Sequence, residues 1–171
     1  MSRPTVLVVV AGTGTEVGKT WVAARLIERW RSRGLSVAAR KPAQSFDPGH
    51  GGATDAEVLG LASGEDPSVV CRPERSYPLA LAPPMAAARL GLSAPHLAEL
   101  VDELRWPDDV DVGLVETAGG LRSPQAADAD ALDLMMALEP DCALLVADAG
   151  LGTINAVRLC HGDLSERDLA P

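Results

Sequence analysis

The segment Gly12–Thr20, which reads GTGTEVGKT, has the residue types needed to hold the phosphates of a nucleotide. Its glycines allow backbone N–H groups to point inward at an anion, and a helix that begins at its end would add the positive end of its dipole. Lys19 can reach the outer phosphates, and the Thr20 hydroxyl can ligate Mg²⁺. The spacing is G-x₅-G-K-T, because Thr13 stands where the usual pattern has its first glycine. We predict a phosphate loop that binds ATP with Mg²⁺.

The use of lysine is the second feature with chemical meaning. The chain contains thirteen arginines and only two lysines, Lys19 and Lys41. Arginine serves wherever any cation is sufficient, so the two lysines are expected where a compact ammonium is needed. Lys41 follows Arg40 beside a loop rich in Gly, Pro and Asp. From that position we expect Lys41 to tolerate substitution with little change in stability.

Two carboxylates stand at the ends of predicted elements. Asp55 lies in Thr54-Asp55-Ala56-Glu57, a capping box that opens a helix. It could serve a metal or only the helix dipole. Glu116 ends an apolar run and is followed by small residues. The carboxyl ends of parallel strands form the ligand-binding edge of such folds, so this position favours a functional role for Glu116.

The elements that must position these residues alternate between strands and helices. Apolar runs rich in β-branched residues predict strands at 5–11, 36–39, 112–116 and 142–148. Helical spacing and capping residues predict helices at 20–33, 55–62, 85–90, 95–104, 128–138 and 153–160, with irregular chain at 44–53 and 64–84. This order predicts an α/β fold of the P-loop NTPase type, with a mostly parallel sheet flanked by helices, as one domain over residues 1–171. The last predicted helix is followed by no further strand, so either the fold ends unusually or the chain is C-terminally shortened. Base contacts in parallel α/β folds come from later loops at the carboxyl edge of the sheet, so we expect the base-binding part to be missing and nucleotide bases to be poorly discriminated.

Composition excludes several classes of function. The net charge of −9 argues against nucleic acid as a partner, because binding a phosphate backbone needs a concentrated positive field. No apolar run approaches the length of a membrane span and no signal peptide is recognisable, so we predict no membrane partner and a cytoplasmic location. The three cysteines have no CxxC spacing and suggest neither a disulfide framework nor a zinc site. Cys142 begins an apolar run and is expected in the core.

Several segments in order resemble the motifs of one enzyme family, the dethiobiotin synthetases. They are the phosphate loop, Lys41-Pro42-Ala43-Gln44-Ser45, Thr54-Asp55-Ala56, Ala82-Pro83-Pro84-Met85-Ala86-Ala87, Val115-Glu116-Thr117-Ala118-Gly119-Gly120 and Gly150-Leu151-Gly152-Thr153-Ile154-Asn155. The resemblance spans nearly all of residues 5–160. It implies an ATP- and Mg²⁺-dependent cyclo-ligase of biotin biosynthesis, which joins CO₂ (or bicarbonate) to 7,8-diaminononanoate. An amine carbamate would form first, ATP would phosphorylate it, and the second amine would close the cyclic urea.

The resemblance also assigns roles to individual residues. Lys41, Lys19 and Thr15 would be catalytic and, with Ser45, would surround the carbamate. Mg²⁺ would be held by Thr20, Asp55 and Glu116, hard oxygen ligands that suit it. Nucleotide contacts would come from Glu16, Val17, Gly18, Lys19, Thr20, Trp21, Asp55, Glu116, Thr117, Ala118 and Gly119. The substrate carboxylate would meet Gly152, Thr153 and Asn155 of the other subunit in a homodimer.

Three departures from the family pattern leave the substrate open. Thr117 replaces a glycine and adds a hydroxyl near the expected phosphates, Ala156 replaces a histidine, and the segment 122–125 is unusually polar. A different amine substrate therefore stays an alternative. The alternative to an enzyme is a shortened or degenerate nucleotide-binding relative that acts as a partner or regulator. A partitioning-type ATPase is disfavoured, because that group needs a further lysine early in the phosphate loop, where this chain has Thr13, Gly14 and Thr15.

Overall fold

A four-stranded parallel sheet forms the centre of the computed structural model, which describes residues 3–169. Its strands are β1 (Val6–Gly12), β2 (Val37–Arg40), β5 (Val112–Glu116) and β6 (Cys142–Val146), in the order β2-β5-β1-β6. A separate short parallel pair joins β3 (Gln44–Ser45) to β4 (Ser76–Tyr77). The central strands β5 and β1 are buried, which explains their nearly continuous runs of valine and leucine. The predicted parallel α/β sheet is confirmed.

Seven α-helices surround the sheet in the described part of the chain. They are α1 (Lys19–Arg31), α2 (Asp55–Ser63), α3 (Pro67–Val70), α4 (Pro83–Arg89), α5 (Leu97–Glu103), α6 (Ala131–Leu138) and α7 (Thr153–Ser165). Short 3₁₀ helices occupy Pro48–His50 and Pro73–Arg75. None of the helices within residues 3–169 is long and apolar enough to cross a bilayer.

The hydrophobic core lies on both faces of the sheet. On one face, α1 and α2 contribute Ala23, Ile27 and Leu59, all completely buried. On the other face, Leu132 and Met135 of α6 pack with residues of β1, β5 and α7. Helices on both faces hold the carboxyl ends of β1, β2 and β5 at one edge, where the candidate residues lie.

The helix boundaries follow local chemistry. Thr54 caps α2 through the predicted box: its hydroxyl accepts from the N–H of Glu57, whose carboxylate accepts from the N–H of Thr54. The helix predicted from residue 128 begins instead at Ala131, because the Asp130 carboxylate caps it. The prediction of irregular chain at 64–84 is wrong in part, since α3, a 3₁₀ turn and β4 lie there. The predicted loop 44–53 likewise begins with the two residues of β3.

The two edges of the sheet differ. On β2, the Glu65 carboxylate accepts from the N–H of Ala39 at 2.7 Å and pairs with Arg40, which covers that edge. At the other edge β6 is only partly covered, and Cys142 is exposed. The expectation that Cys142 belongs to the core is therefore wrong, because its strand is at an edge of the sheet.

Candidate active site

The phosphate loop connects β1 to α1 as predicted. Gly18 precedes the helix with φ 95°, and Glu16 also has a positive φ of 60°, a strained value for a residue with a side chain. Within residues 3–169, the N–H groups of residues 14–18 have no hydrogen-bond acceptor. Such a run of free amides before a helix N-terminus is suited to an anion.

The added residue in the loop is explained by packing. A Cβ atom at Gly12 would lie 2.9 Å from Cδ of Lys19 and 3.1 Å from the Gly14 carbonyl oxygen. Gly12 therefore takes the role of the first glycine, and Thr13 continues the strand hydrogen bonding by donating its N–H to Val146 at 2.9 Å. Lys19 folds across the loop and donates to the Gly14 carbonyl at 2.9 Å. Burial, followed by the nearby Lys41, lowers the pKa of Lys19, although Glu116 and Asp55 act in the opposite direction. No ion pair is formed by Lys19 in the described part of the chain, so its ammonium could pair with an arriving phosphate.

Lys41 lies at the centre of a buried ionic cluster. Its ammonium is 2.7 Å from Asp55 Oδ2 and 2.7 Å from Glu116 Oε1, and it donates to the Thr117 carbonyl at 3.2 Å. These three acceptors use all three protons of the ammonium. Lys41 is only 2% exposed, and the burial of its ionic contacts contradicts the expectation that it tolerates substitution with little change in stability. The physical reason is the register of the two strands: Arg40 of β2 pairs with Val115 of β5, so Lys41 follows beside Glu116.

Thr20 joins this cluster to the phosphate loop. Its hydroxyl oxygen is 2.8 Å from Asp55 Oδ1 and 2.9 Å from Glu116 Oε1. A threonine hydroxyl has one proton, so it can donate to only one of these carboxylates at a time. The other close oxygen–oxygen approach is repulsive, and a cation among the three oxygens would relieve it.

The charges of the cluster are unevenly balanced. Burial alone would lower the pKa of Lys41, but Glu116 and Asp55 outweigh it and hold this pKa above its ordinary value. Burial would raise the pKa of Asp55, yet Lys41 keeps it below the usual range. For Glu116 burial prevails and raises the pKa in spite of Lys41. Glu116 is therefore the carboxylate with too little positive charge around it.

The oxygen atoms of this cluster fit a magnesium ion. Glu116 Oε2 is buried and has no hydrogen-bond partner among the described residues. Thr20, Asp55 and Glu116 together offer hard oxygen donors. No group of three His, Cys, Asp or Glu residues that could hold a metal occurs within residues 3–169. Two carboxylates and a hydroxyl are nevertheless the usual protein share of a site where Mg²⁺ keeps waters and phosphate oxygens.

The loop after β5 closes over the phosphate loop. A Cβ atom at Gly120 would lie 3.2 Å from both Gly14 Cα and the Thr13 carbonyl oxygen, so the two backbones are in direct contact. The buried Gln125 holds this loop from behind: its amide oxygen accepts from the N–H of Ala118 at 2.9 Å, and its amide nitrogen donates to the Ala118 carbonyl at 2.7 Å.

Two residues that depart from the family pattern, Thr117 and Gln125, do not lie where the sequence led us to expect them. Thr117 is completely buried, and its hydroxyl lies 3.4 Å from the Val10 carbonyl, so it is directed at β1 rather than into open space over the phosphate loop. The polar segment 122–125 was interpreted as a sign of a different substrate. For Gln125 that interpretation is wrong, because its side chain is 1% exposed and bonds to the backbone of its own loop.

The remaining predicted residues do not join the Lys41 cluster. The Ser45 hydroxyl donates to the Leu81 carbonyl. Thr15 is exposed but adjoins the β5 loop, with its hydroxyl 3.8 Å from the place of a Cβ at Gly119. Trp21 is 67% exposed at the start of α1. Gly152, Thr153 and Asn155 begin α7, and no hydrogen bond connects them to Lys41 or the phosphate loop in the described part of the chain.

Gln44 is a further site residue that sequence reasoning left without a role. It stands inside the Lys41–Ser45 motif and is 4% exposed. Its amide oxygen accepts from the N–H of Ala56 at 2.9 Å, and its amide nitrogen donates to the Ser76 hydroxyl at 2.8 Å. Gln44 thus holds the first turn of α2, which carries Asp55. The signal that the sequence offers is a glutamine that lies between a lysine and a capped helix.

Comparisons with known proteins agree with this site. Residues 7–168 match the AAA domain family AAA_26. The chain is 43% identical over 166 residues to the ATP-dependent dethiobiotin synthetase BioD of Rhodococcus jostii (strain RHA1), covering 96% of this chain and 70% of that protein. It is 44% identical over 148 residues to the protein of the same name from Caulobacter vibrioides (strain NA1000 / CB15N), covering 84% of this chain and 67% of the relative. This chain belongs to the dethiobiotin synthetase family.

The solved structures agree at the level of the fold. The signal recognition particle receptor FtsY from Elizabethkingia anophelis in complex with GDP aligns with a TM-score of 0.51 at 19% identity, over 95% of this chain and 47% of that one. At that identity the likeness shows a shared fold and nothing about activity.

Proposed function

We propose that this protein is an ATP- and Mg²⁺-dependent dethiobiotin synthetase, which closes the cyclic urea of dethiobiotin from 7,8-diaminononanoate and CO₂. The observation that carries the proposal is the contact between Lys41 and the Thr20–Asp55–Glu116 cluster directly beside a phosphate loop with free amides. Family membership and this geometry support the same chemistry. No observation on residues 3–169 favours the non-catalytic alternative, since both lysines and both carboxylates are in place.

The chemistry requires positive charge where phosphate and carbamate meet. One amine of the substrate and CO₂ form a carbamate, whose oxygen then takes the γ-phosphoryl group of ATP while ADP leaves. The second amine attacks the carbamoyl carbon and expels phosphate, which closes the ring. Phosphoryl transfer depends mainly on positioning and on neutralising charge. Lys19 and the free loop amides would hold the transferred phosphoryl group, and Lys41 would face the carbamate.

Thr20, Asp55 and Glu116 would hold Mg²⁺ at this point. The ion would supply charge neutralisation for the β- and γ-phosphate oxygens. The orphaned Glu116 Oε2 and the doubly contacted Thr20 hydroxyl support these residues as its ligands. Gln44 would keep Asp55 in place through the first turn of α2.

The far end of the substrate would be bound by a second copy of the chain. The N-terminus of α7 is preceded by Gly152 in a left-handed conformation without a side-chain cap, which leaves N–H groups for a carboxylate. Around it, Leu151, Ile154 and Leu159 are strongly exposed for apolar residues. These features support a homodimer in which Gly152, Thr153 and Asn155 of one subunit complete the site of the other.

The direct test is incubation of the purified protein with ATP, Mg²⁺, ¹³C-bicarbonate and 7,8-diaminononanoate, followed by mass spectrometry. We expect a product with the mass of labelled dethiobiotin and one phosphate released per product. Thr20→Ala is a matched control that keeps the fold and removes the hydroxyl at the centre of the site. A native protein that binds ATP but forms no labelled product at any Mg²⁺ concentration would contradict the proposal and favour a non-catalytic role.

A further inference from the structure

The loop that follows β5, residues 117–125, is held by side chains that the proposed reaction does not use. Gln125 contributes three hydrogen bonds: it accepts from the N–H of Ala118 at 2.9 Å and donates to the carbonyls of Ala118 at 2.7 Å and Ser123 at 3.1 Å. Its side chain is 1% exposed. Both amide protons of Gln125 are therefore used inside the protein and its oxygen accepts a backbone N–H, so this buried amide serves its own loop.

Three of the four backbone N–H groups of residues 117–120 have a hydrogen-bond acceptor. The N–H of Thr117 donates to Val10 at 3.0 Å, that of Ala118 to Gln125, and that of Gly120 to the Ser123 hydroxyl at 2.8 Å. Within residues 117–120, only the N–H of Gly119 has no acceptor in the described structure. Gly119 is also the half-exposed residue of this loop, with φ 65°.

Gly119, the residue with the free amide, lies beside the phosphate loop. Gly119 adjoins Thr15, and Gly120 touches the backbone of Thr13 and Gly14. Two residues before Gly119, the Thr117 carbonyl accepts from the Lys41 ammonium. The loop therefore connects the first half of the phosphate loop to Lys41, and its conformation fixes the separation between them. Gln125 is the side chain that clamps its midpoint.

We propose that Gln125 is a positioning residue for the reaction: its clamp on Ala118 aims the Gly119 N–H into the cleft beside Thr15 and holds the Thr117 carbonyl on Lys41. The proposal rests on the proposed function. A donor preset in this way would stabilise negative charge on the carbamate or the transferred phosphoryl group. Positioning of this kind acts on the rate of the chemical step more than on nucleotide affinity.

The test uses two variants of the intact protein and one control. Gln125→Met keeps the length of the side chain and removes all three hydrogen bonds. Gln125→Glu keeps the acceptor for Ala118 N–H, but at high pH its carboxylate opposes the two carbonyls; once protonated, it can donate to one of them again. Met135→Ala is the control, because Met135 is as deeply buried as Gln125 but makes no side-chain hydrogen bond to this loop in the described part of the chain.

We expect Gln125→Met to lower kcat by about 30- to 100-fold with the KM for ATP changed less than threefold. For Gln125→Glu, the ratio of its kcat to that of the native protein should rise at least fivefold as the pH falls from 8.5 to 6. Burial raises the pKa of a carboxyl group, so the introduced side chain becomes protonated in this range and can donate a hydrogen bond again. Met135→Ala should lower the melting temperature but change kcat at 20 °C less than threefold. A loss of activity in Gln125→Met that Met135→Ala reproduces at equal stability would overturn the proposal, as would a pH-independent ratio.

Hydrogen exchange separates this proposal from the proposed function. If the native protein makes no dethiobiotin, the proposed function fails, but the clamp remains testable. In Gln125→Met we expect amide exchange in a peptide spanning 117–120 to be at least tenfold faster, with exchange in α6 unchanged. Equal protection of that peptide in the native protein and in Gln125→Met would show that the loop is held by other contacts and would overturn the positioning role.

Discussion

The ammonium of Lys41 lies 2.7 Å from Glu116 Oε1, and the two side chains are only 1% and 0% exposed. An ionic pair in such surroundings carries a large desolvation cost, which is offset only while both partners and their hydrogen bonds are present. Asp55 shares the same ammonium from the more open side, with its side chain 40% exposed. Lys41 therefore supports the fold of the site in addition to any role toward the carbamate.

Replacing Lys41 should lower stability strongly, in contrast to the expectation from sequence. Lys41→Met leaves Glu116 as an unpaired buried charge, for which we expect a loss of about 3–5 kcal/mol in the free energy of unfolding at pH 8. Chemical denaturation with matched m-values measures this loss. The double variant Lys41→Met, Glu116→Gln should recover about half of it, because the uncompensated charge is gone. A melting temperature equal to that of the native protein would refute the structural role.

The loss of stability in Lys41→Met should become smaller as the pH falls. Without Lys41, burial raises the folded-state pKa of Glu116 further, and the pKa of Asp55 is no longer held low. A carboxyl with a raised folded-state pKa destabilises the protein above that pKa and stops doing so once it is protonated. The stability gap between native and Lys41→Met should therefore be largest above pH 7 and shrink as the pH falls toward 5. Denaturation curves at pH 8, 6.5 and 5 decide this, and a constant gap would exclude the electrostatic explanation.

Much of this arrangement was predictable from the sequence, but the burial of Lys41 was not. Valine-rich runs and the Gly12–Thr20 pattern predicted the strands and the phosphate loop, because both are local signals. The contact of Thr20, Asp55 and Glu116 followed from family motifs, whereas propensity alone left Asp55 open to a simple capping role. The pairing of β2 with β5, which places Lys41 beside Glu116, is a long-range contact, and no local pattern reports it.

The burial of Gln125 was also not predictable from the sequence. A polar residue after a glycine pair looks like a surface or substrate-facing position, and only the folded loop shows that its amide bonds backbone groups seven and two residues away. Cys142 is the reverse case: its apolar run predicted burial, but the order of the strands places it at an edge. Strand order is a property of the whole sheet and is not encoded within one strand.

Mg²⁺ and Lys41 should compete for the same carboxylate oxygens. Lys41 contacts Glu116 Oε1, which also contacts Thr20, so the ammonium and the dication share acceptors and repel each other. Without nucleotide, we expect Lys41→Met to bind Mg²⁺ at least tenfold more tightly than the native protein, a difference of about 1.4 kcal/mol. The readout is the rise in melting temperature between 0 and 20 mM Mg²⁺, with Ca²⁺ as a second ion. A smaller Mg²⁺-dependent rise in Lys41→Met than in the native protein would contradict the competition.

Removing the Asp55 carboxylate should weaken metal binding and should damage the fold less than replacing Lys41. Asp55→Asn keeps the size of the side chain and the first turn of α2, which Gln44 also holds. We expect the Mg²⁺ concentration for half-maximal activity to rise at least tenfold, while metal-free nucleotide binding stays equal or improves as a negative charge near the phosphates is lost. Glu57→Gln is the control, because Glu57 lies on the same helix and faces its cap. Native Mg²⁺ dependence in Asp55→Asn would place the metal elsewhere.

The cysteines should differ sharply in reactivity. Burial raises the pKa of the Cys71 thiol to about 12, so almost none of it is thiolate at pH 8. Cys142 is exposed on the edge strand β6. Iodoacetamide at pH 8 should therefore modify Cys142 in the folded protein at least a hundredfold faster than Cys71, and denaturant should abolish the difference. Peptide mass spectrometry over a time course measures both sites, and equal rates in the folded state would contradict the buried position of Cys71.

The contact between Gly120 and the phosphate loop should make this glycine indispensable for activity. A Cβ atom there would meet Gly14 Cα at 3.2 Å and the backbone nitrogen of Gly14 at 3.3 Å, and these backbone atoms cannot rotate away as a side chain could. Gly120→Ala must therefore push the two loops apart by a few tenths of an ångström, which we expect to lower kcat at least tenfold. Gly162→Ala is the matched control: it lies within α7, where an added Cβ meets nothing within 4 Å, and should raise stability by about 0.5–1 kcal/mol without loss of activity. Kinetics and thermal denaturation of both variants provide the measurement. Full activity in Gly120→Ala would show that the two loops can separate without consequence for the reaction.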